Sequence, residues 1–175
     1  SGVGRTGSLY AYMDMDVTPD ILTTAKGIGG GFPIGAMLTT DKVAQSFVVG
    51  THGSTFGGNP LAASVALEVL SIVDDPAFLA EVARKAEVLR SALLRIGQAT
   101  GAWSEVRGKG LWMGAVLSGA WEGRSKDIAG AAFEAGVMVL RAGANVVRMA
   151  PALNIPDADL EEGLARLERA VRSLG

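Results

Sequence analysis

The sequence predicts an α/β protein that ends in a small α+β domain. Three patterns carry that expectation. Short apolar runs separated by glycine-rich turns fill the chain to about residue 59, two helices open at Asn59-Pro60 and Asp75-Pro76, and the remainder alternates helix, strand, helix, paired strands and helix. Residues 1–74 are expected to form one domain and 75–175 the other.

Ile21-Leu22-Thr23-Thr24 reads as a strand running into Gly27-Ile28-Gly29-Gly30-Gly31, and residues 34–39 read as a second strand. Asp41 is placed to cap a short helix through residue 49. Asn59 is a good N-cap, and Pro60 fits the first helical position. Between residues 61 and 73 the only charge is Glu68. A helix apolar on nearly all sides belongs inside a large protein or in a subunit interface. In the helix after Asp75-Pro76, Phe78, Val82, Leu89, Leu93 and Ile96 share a face, while Arg84, Lys85, Glu87 and Arg95 fall elsewhere. Gly97 is a plausible C-cap. Arg107-Gly108-Lys109-Gly110 reads as a turn before a strand at 111–117. A helix at 128–135 is closed by Gly136, and residues 137–140 and 146–149 read as paired strands. The last helix starts at Asp157 with an apolar stripe of Leu160, Leu164, Leu167, Val171 and Leu174. Its acids come early and its bases late, as the helix dipole favours.

Composition narrows the chemistry. Hydrophobic residues are 49% and charged residues 19%, so a core can be buried. A net charge of −2 with no basic run argues against nucleic acid or an anionic membrane as partner. No apolar run reaches membrane-spanning length. The absence of cysteine excludes disulfides and thiolate catalysis, and fits a cytoplasmic protein. With one histidine, His52, a metal site is not expected. The first residues carry neither a signal-peptide pattern nor an initiator Met, so the chain reads as a piece of something longer.

Four residues stand out for chemistry. Lys26 ends a strand just before a glycine turn, with apolar Ile21, Leu22 and Ala25 nearby. It is either a surface lysine or a desolvated amine of the kind that Schiff-base chemistry needs. Ser54 and Thr55 lie in a glycine-rich loop that feeds the Asn59-Pro60 helix, a pattern shared by phosphate-binding loops and by ordinary capped turns. Arg148 sits within an apolar run. It either points to water from an edge strand or is buried and needs an anion. Neither glycine run is a P-loop or a dinucleotide fingerprint, and Ser54 with His52 makes no convincing nucleophile–base pair.

Three blocks together resemble the class-III, fold-type-I aminotransferases. They are Gly2-Val3-Gly4-Arg5-Thr6-Gly7 with Tyr10-Ala11-Tyr12, then Pro19-Asp20-Ile21-Leu22-Thr23-Thr24-Ala25-Lys26-Gly27 with Phe32-Pro33-Ile34-Gly35, then residues 51–62 around Gly53-Ser54-Thr55-Phe56-Gly57-Gly58. The stretch from Ala135 through Arg148 to Leu153 is similar to the acetylornithine and succinylornithine branch. The resemblance implies that residues 1–74 are the C-terminal part of a pyridoxal-phosphate-dependent large domain, interface helix included, and that 75–175 are the small C-terminal domain. It implies Lys26 as the lysine that holds pyridoxal 5'-phosphate, and Thr55 as a hydroxyl that reaches the cofactor phosphate across a homodimer interface. It implies substrate contact by Ser54 and by Arg148, the latter near a carboxylate. Amino transfer from N-acetyl- or N-succinyl-L-ornithine to 2-oxoglutarate, in arginine metabolism, is the activity expected of the whole protein. Another ω-aminotransferase acting on ornithine, 4-aminobutyrate or β-alanine is the alternative, and a non-catalytic dimerisation module is a second. The family's aspartate for the pyridinium nitrogen falls in an Asp-Glu-Val-Gln run just ahead of the position of Ser1.

Overall fold

Antiparallel pairing organises both parts of the chain. The computed structural model describes residues 1–175. The chain forms two compact units, Ser1–Gly4 with Ser8–Leu79, and Arg5–Gly7 with Ala80–Gly175. No helix is long and apolar enough to cross a membrane.

In the first unit β1 (Ile21–Ala25) pairs antiparallel with β2 (Gly35–Thr39), from Ile21↔Thr39 to Ala25↔Gly35. The link between them begins with a 3-10 turn, Lys26–Gly29. Helix α1 spans only Asp41–Ala44, with Thr40 rather than Asp41 at its N-cap, so the helix expected through residue 49 stops early. Val48 and Val49 disfavour helix, Gly50 turns left-handed at φ +89, and the Thr51 hydroxyl takes up the Val48 N–H. Helix α2 (Pro60–Val73) starts as its sequence predicts, with Asn59 Oδ1 accepting from the Ala62 N–H at 2.9 Å. Its buried residues are Ala62, Ala66 and Val73, spaced four and seven apart on one stripe. That stripe joins Val3 and Ile28 in a small core edged by Leu9, Tyr10, Ile34, Val69 and Leu70. The opposite side of α2 is bare: Leu61, Leu67 and Ile72 are 62%, 68% and 50% exposed.

The second unit is a four-stranded antiparallel sheet in the order β3-β4-β6-β5. Its strands are β3 (Trp103–Lys109), β4 (Trp112–Leu117), β5 (Leu140–Arg141) and β6 (Val146–Met149). Met113, Ala115, Leu117, Val147 and Met149 are buried. The apolar stripes of α3 (Pro76–Thr100), α4 (Ser125–Glu134) and α5 (Asp157–Arg172) supply the rest of the core, through Leu89, Leu93, Ile96, Ile128, Leu160 and Leu167. Arg84 of α3 forks onto both carboxylate oxygens of Asp157, the first residue of α5, at 2.6 and 2.8 Å.

Three local expectations are corrected here. Residues 103–109 form a strand, where only a turn at 107–110 was expected. The turn is Gly110-Leu111, and a Cβ at Gly110 would run into the Arg5 carbonyl. Gly97 is no cap: α3 continues to Thr100, and left-handed Gly101 (φ +69) follows it. Residues 137–139 are not strand, because the Val137 N–H is spent on the Ala132 carbonyl in the turn that closes α4.

The reason for Gly97 is the Trp103 ring, whose Nε1–H donates to the Leu93 carbonyl at 2.8 Å. A Cβ on Gly97 would stand 2.5 Å from Trp103 Cδ1 and 2.6 Å from its carbonyl oxygen. Propensity alone makes Gly→Ala in a helix stabilising by roughly 0.5–1 kcal/mol, but overpacking a core costs about 1–3 kcal/mol. Gly97→Ala is therefore expected to destabilise in urea unfolding. Gly130→Ala in α4, where an added Cβ meets nothing within 4 Å, is expected to stabilise.

Candidate functional site

Lys26 follows the last residue of β1 and takes a left-handed backbone at φ +55. Val3 is the only other non-glycine residue there, at φ +53. The two meet across Gly27, where a Cβ would lie 3.3 Å from the Val3 Cβ. Each left-handed residue costs roughly 1–2 kcal/mol. Burying Val3 and Ile28 offsets that cost, since a buried aliphatic side chain gains about 1.5–3 kcal/mol. The strain is held where a bland surface lysine would have none, which is a pattern of functional sites.

The turn carrying Lys26 is seated on α2. Ile28 packs with Ala66 and Val73, and at Gly30 a Cβ would come 3.0 Å from Val69 Cγ2. The lysine itself is exposed, as are Ile21 and Ala25, so the expected desolvation by these neighbours is not seen in this chain. Its ammonium makes no hydrogen bond or ion pair. An unpartnered primary amine on a rigid turn is able to condense with a carbonyl compound.

Ser54 and Thr55 belong to the loop that enters α2. Gly58 turns it at φ +72, and the Asn59 N–H and Nδ2 both donate to the Phe56 carbonyl, at 3.2 and 2.9 Å. Both hydroxyls are exposed and unbonded within the chain. A hydroxyl pair beside a helix N-terminus suits a phosphate. Both Lys26 and this loop lean on α2. Ala66, against which the Lys26 turn packs, lies six residues along from Pro60, roughly 9 Å down the axis at 1.5 Å per residue.

Arg148 lies in the second unit. β6 runs between β4 and β5, so Arg148 is on an inner strand and not on the edge strand that the water-facing alternative needs. It is half-buried, and its Nε is fully buried without a partner. A buried guanidinium N–H lacking an acceptor is costly, which favours an anion at this position.

Arg5 has partners that its glycine-flanked motif does not announce. Its guanidinium donates to the carbonyls of Leu111, at 3.0 Å, and Pro151, just beyond the end of β6. The Leu111 N–H donates back to the Arg5 carbonyl at 3.0 Å. Burial pushes the guanidinium below its ordinary pKa. An arginine inside a glycine-flanked turn was the available signal. The Tyr10 hydroxyl lies 3.3 Å from the buried Thr24 hydroxyl of β1.

The family model described as "Aminotransferase class-III" matches residues 1–171. The acetylornithine aminotransferase of Shewanella oneidensis is 57% identical over 174 residues, covering 99% of this chain and 43% of that protein. A Pseudomonas aeruginosa protein named succinylornithine transaminase/acetylornithine aminotransferase is 52% identical over 174 residues, with the same coverage of 99% and 43%. The crystal structure of N-acetylornithine aminotransferase from Stenotrophomonas maltophilia K279a superposes with a TM-score of 0.90 at 44% identity, over 99% of this chain and 45% of that one. The chain thus spans less than half the length of these relatives.

The left-handed backbone at Lys26 gives a stability test independent of any ligand. Glycine relieves a strain of roughly 1–2 kcal/mol but loosens the unfolded chain by about 0.4–1 kcal/mol. Lys26→Gly is therefore expected to be more stable than Lys26→Ala, by up to about 1.6 kcal/mol, in denaturant unfolding. Equal stability would mean that the turn is not held in this conformation.

Proposed function

The chain belongs to the class-III aminotransferase family, and from that membership we propose that the whole protein is a pyridoxal-phosphate-dependent transaminase. It moves the terminal amino group of N-acetyl- or N-succinyl-L-ornithine to 2-oxoglutarate in two half-reactions. The observation that carries this reading is the 57% identity, over nearly the whole chain, to a relative named acetylornithine aminotransferase. On the same reading residues 1–74 are part of a larger cofactor-binding domain and 75–175 a small domain. A cytoplasmic location is kept with it, on the absence of cysteine.

The donor set of the first unit supports the cofactor. One free primary amine at Lys26 suits the carbonyl carbon, and the Ser54–Thr55 loop at the N-terminus of α2 suits a phosphate dianion. When bound, pyridoxal phosphate supplies an electron sink that acidifies the carbon bearing the amino group. Lys26 holds the cofactor through its Nζ. Once displaced by substrate, the same Nζ would carry the proton from the carbon that loses the amino group to the cofactor's C4′ carbon within that half-reaction, and the second half-reaction would run the same transfer in reverse. The Thr55 hydroxyl binds the phosphate, Ser54 contacts the acylated donor, and Arg148 orients a substrate carboxylate through paired N–H groups.

We assign the bare side of α2 to a second copy of the protein. Leu61, Leu67 and Ile72, with Phe56 in the loop that enters the helix, are exposed apolar side chains of the kind that a subunit interface covers. Thr55 stands at the head of that surface, so one contact would both join the subunits and complete each cofactor site.

Two outcomes are expected of the full-length enzyme. Its kcat/KM should be higher for the acylated ornithines than for ornithine or 4-aminobutyrate; the reverse order would move it to another branch. A hydroxyl bond to a charged group is worth roughly 1.5–3 kcal/mol, so Thr55→Ala should weaken cofactor retention about ten- to a hundredfold while borohydride still fixes the cofactor on Lys26. Inactive Lys26→Ala and Thr55→Ala proteins should regain partial activity after subunit exchange, because one site of the mixed dimer carries neither defect. No recovery after verified exchange would place Thr55 in its own subunit's site.

A further inference from the structure

The first residues of the chain fold back on themselves. Gly2 bridges to Tyr10 in the antiparallel sense, the Ala11 N–H donates to the Ser1 carbonyl at 3.0 Å, and the Gly4 N–H donates to the Leu9 carbonyl at 3.2 Å. A Cβ on Gly2 would run into the Tyr10 ring, so glycine lets the ring lie directly on the backbone. The ring also packs against the core of Val3, Ile28, Ala66 and Val73.

This loop touches the chain on both sides of Lys26. Before the lysine, the Tyr10 hydroxyl donates to Thr24 Oγ1 at 3.3 Å. Thr24 is the one buried residue of β1, at 8% exposure, and a buried hydroxyl needs such a partner. After the lysine, Val3 closes on Gly27 from a left-handed backbone, a genuine outlier for a β-branched residue. Ile28 pins the turn only downstream of Lys26. Without a second hold the end of β1 would be free to swing, and Lys26 would be free to leave φ +55. Core packing accounts for the Tyr10 ring. It does not account for the hydroxyl, because a phenylalanine ring fills the same space.

We propose that Tyr10 is a positioning residue for Lys26. Its hydroxyl fixes β1 upstream of the lysine while Val3 fixes the turn downstream, so that Nζ is presented from a backbone that cannot relax. The inference deepens the proposed function and rests on the reading of Lys26 as the lysine that holds pyridoxal phosphate. Nζ ends a chain of four rotatable bonds, so fixing its root narrows the positions from which it meets a carbonyl carbon.

The experiment adds pyridoxal phosphate to the full-length protein freed of cofactor. The rate of fixation on Lys26 is followed by borohydride quenching and peptide mapping. Tyr10→Phe keeps the ring and loses the donor; Thr24→Val keeps the shape and loses the acceptor. Each should slow fixation about two- to tenfold, the worth of one neutral hydrogen bond. The double variant should be no slower than either, because both changes remove the same bond. A second readout needs no cofactor. The gap in unfolding midpoint between Lys26→Gly and Lys26→Ala should shrink when Tyr10→Phe is added, because the turn is then free to relax. If Tyr10→Phe fixes the cofactor at the parent rate, or the gap persists, Tyr10 only fills the core and the proposal is overturned, whatever the variant loses in melting temperature. Fully additive slowing in the double variant also overturns it. Fixation on a lysine other than Lys26 in the parent protein would instead remove the reading of Lys26, and this inference with it.

Discussion

The close approach of a glycine turn to α2 is the contact on which the first unit depends. Alanines at 62 and 66 leave room along one stripe of the helix, and Ile28 fills the space beside Ala66 and Val73. Because Ile28 is pinned there, Lys26 two residues earlier has no freedom to choose its backbone. It is driven into the left-handed region together with Val3. A larger residue at Ala66 would lift the turn, and the lysine would leave with it. The same helix is entered through the Ser54–Thr55 loop, so a single rigid element fixes both the amine and the hydroxyls.

The second unit meets a different demand. Its sheet has helices to cover one face, and the strands obey: Val147 and Met149 are buried, while Val146 and Arg148, which alternate with them, are only half-buried. A charged side chain on the less covered face of an inner strand is a costly choice unless something anionic arrives. The short β5 and the polar β3 guard the two edges of the sheet, which limits pairing with other chains.

Where one residue type has one physical use, the sequence was readable. Asn59-Pro60 and Asp75-Pro76 open helices because cap chemistry is local, and the stripe of α5 is buried as its period requires. The lysine before the glycine run and the loop ahead of α2 were equally plain. What escaped depends on distant partners. β3 was hidden because Ser104, Glu105, Arg107 and Lys109 are polar and only Trp103 and Val106 are buried, with a bulge that breaks alternation between Trp103 and Glu105. Gly97 looked like a cap because nothing near it in sequence announces the Trp103 ring. Met138, 78% exposed, belongs to an apolar run that alone reads as a strand, yet the cap of α4 consumes the neighbouring N–H. Arg148 stayed ambiguous because edge or interior is a property of the whole sheet.

The bonds of Arg5 also set a clock. Its two carbonyl acceptors lie 106 and 146 residues further along the chain. At the usual rate of about 5–20 residues per second during synthesis, Pro151 follows Arg5 by roughly 7–30 s. Through that interval the guanidinium has at best one of its native partners, and the Gly110-Leu111 hairpin that shelters its backbone arrives only late. The segment Arg5–Gly7 therefore joins a unit whose other residues are all made after it. Its docking is a long loop closure that waits for the sheet to exist. A nascent chain that pauses before residue 151 holds this stretch open, its glycines and its buried-to-be Thr6 accessible to whatever else is near the ribosome.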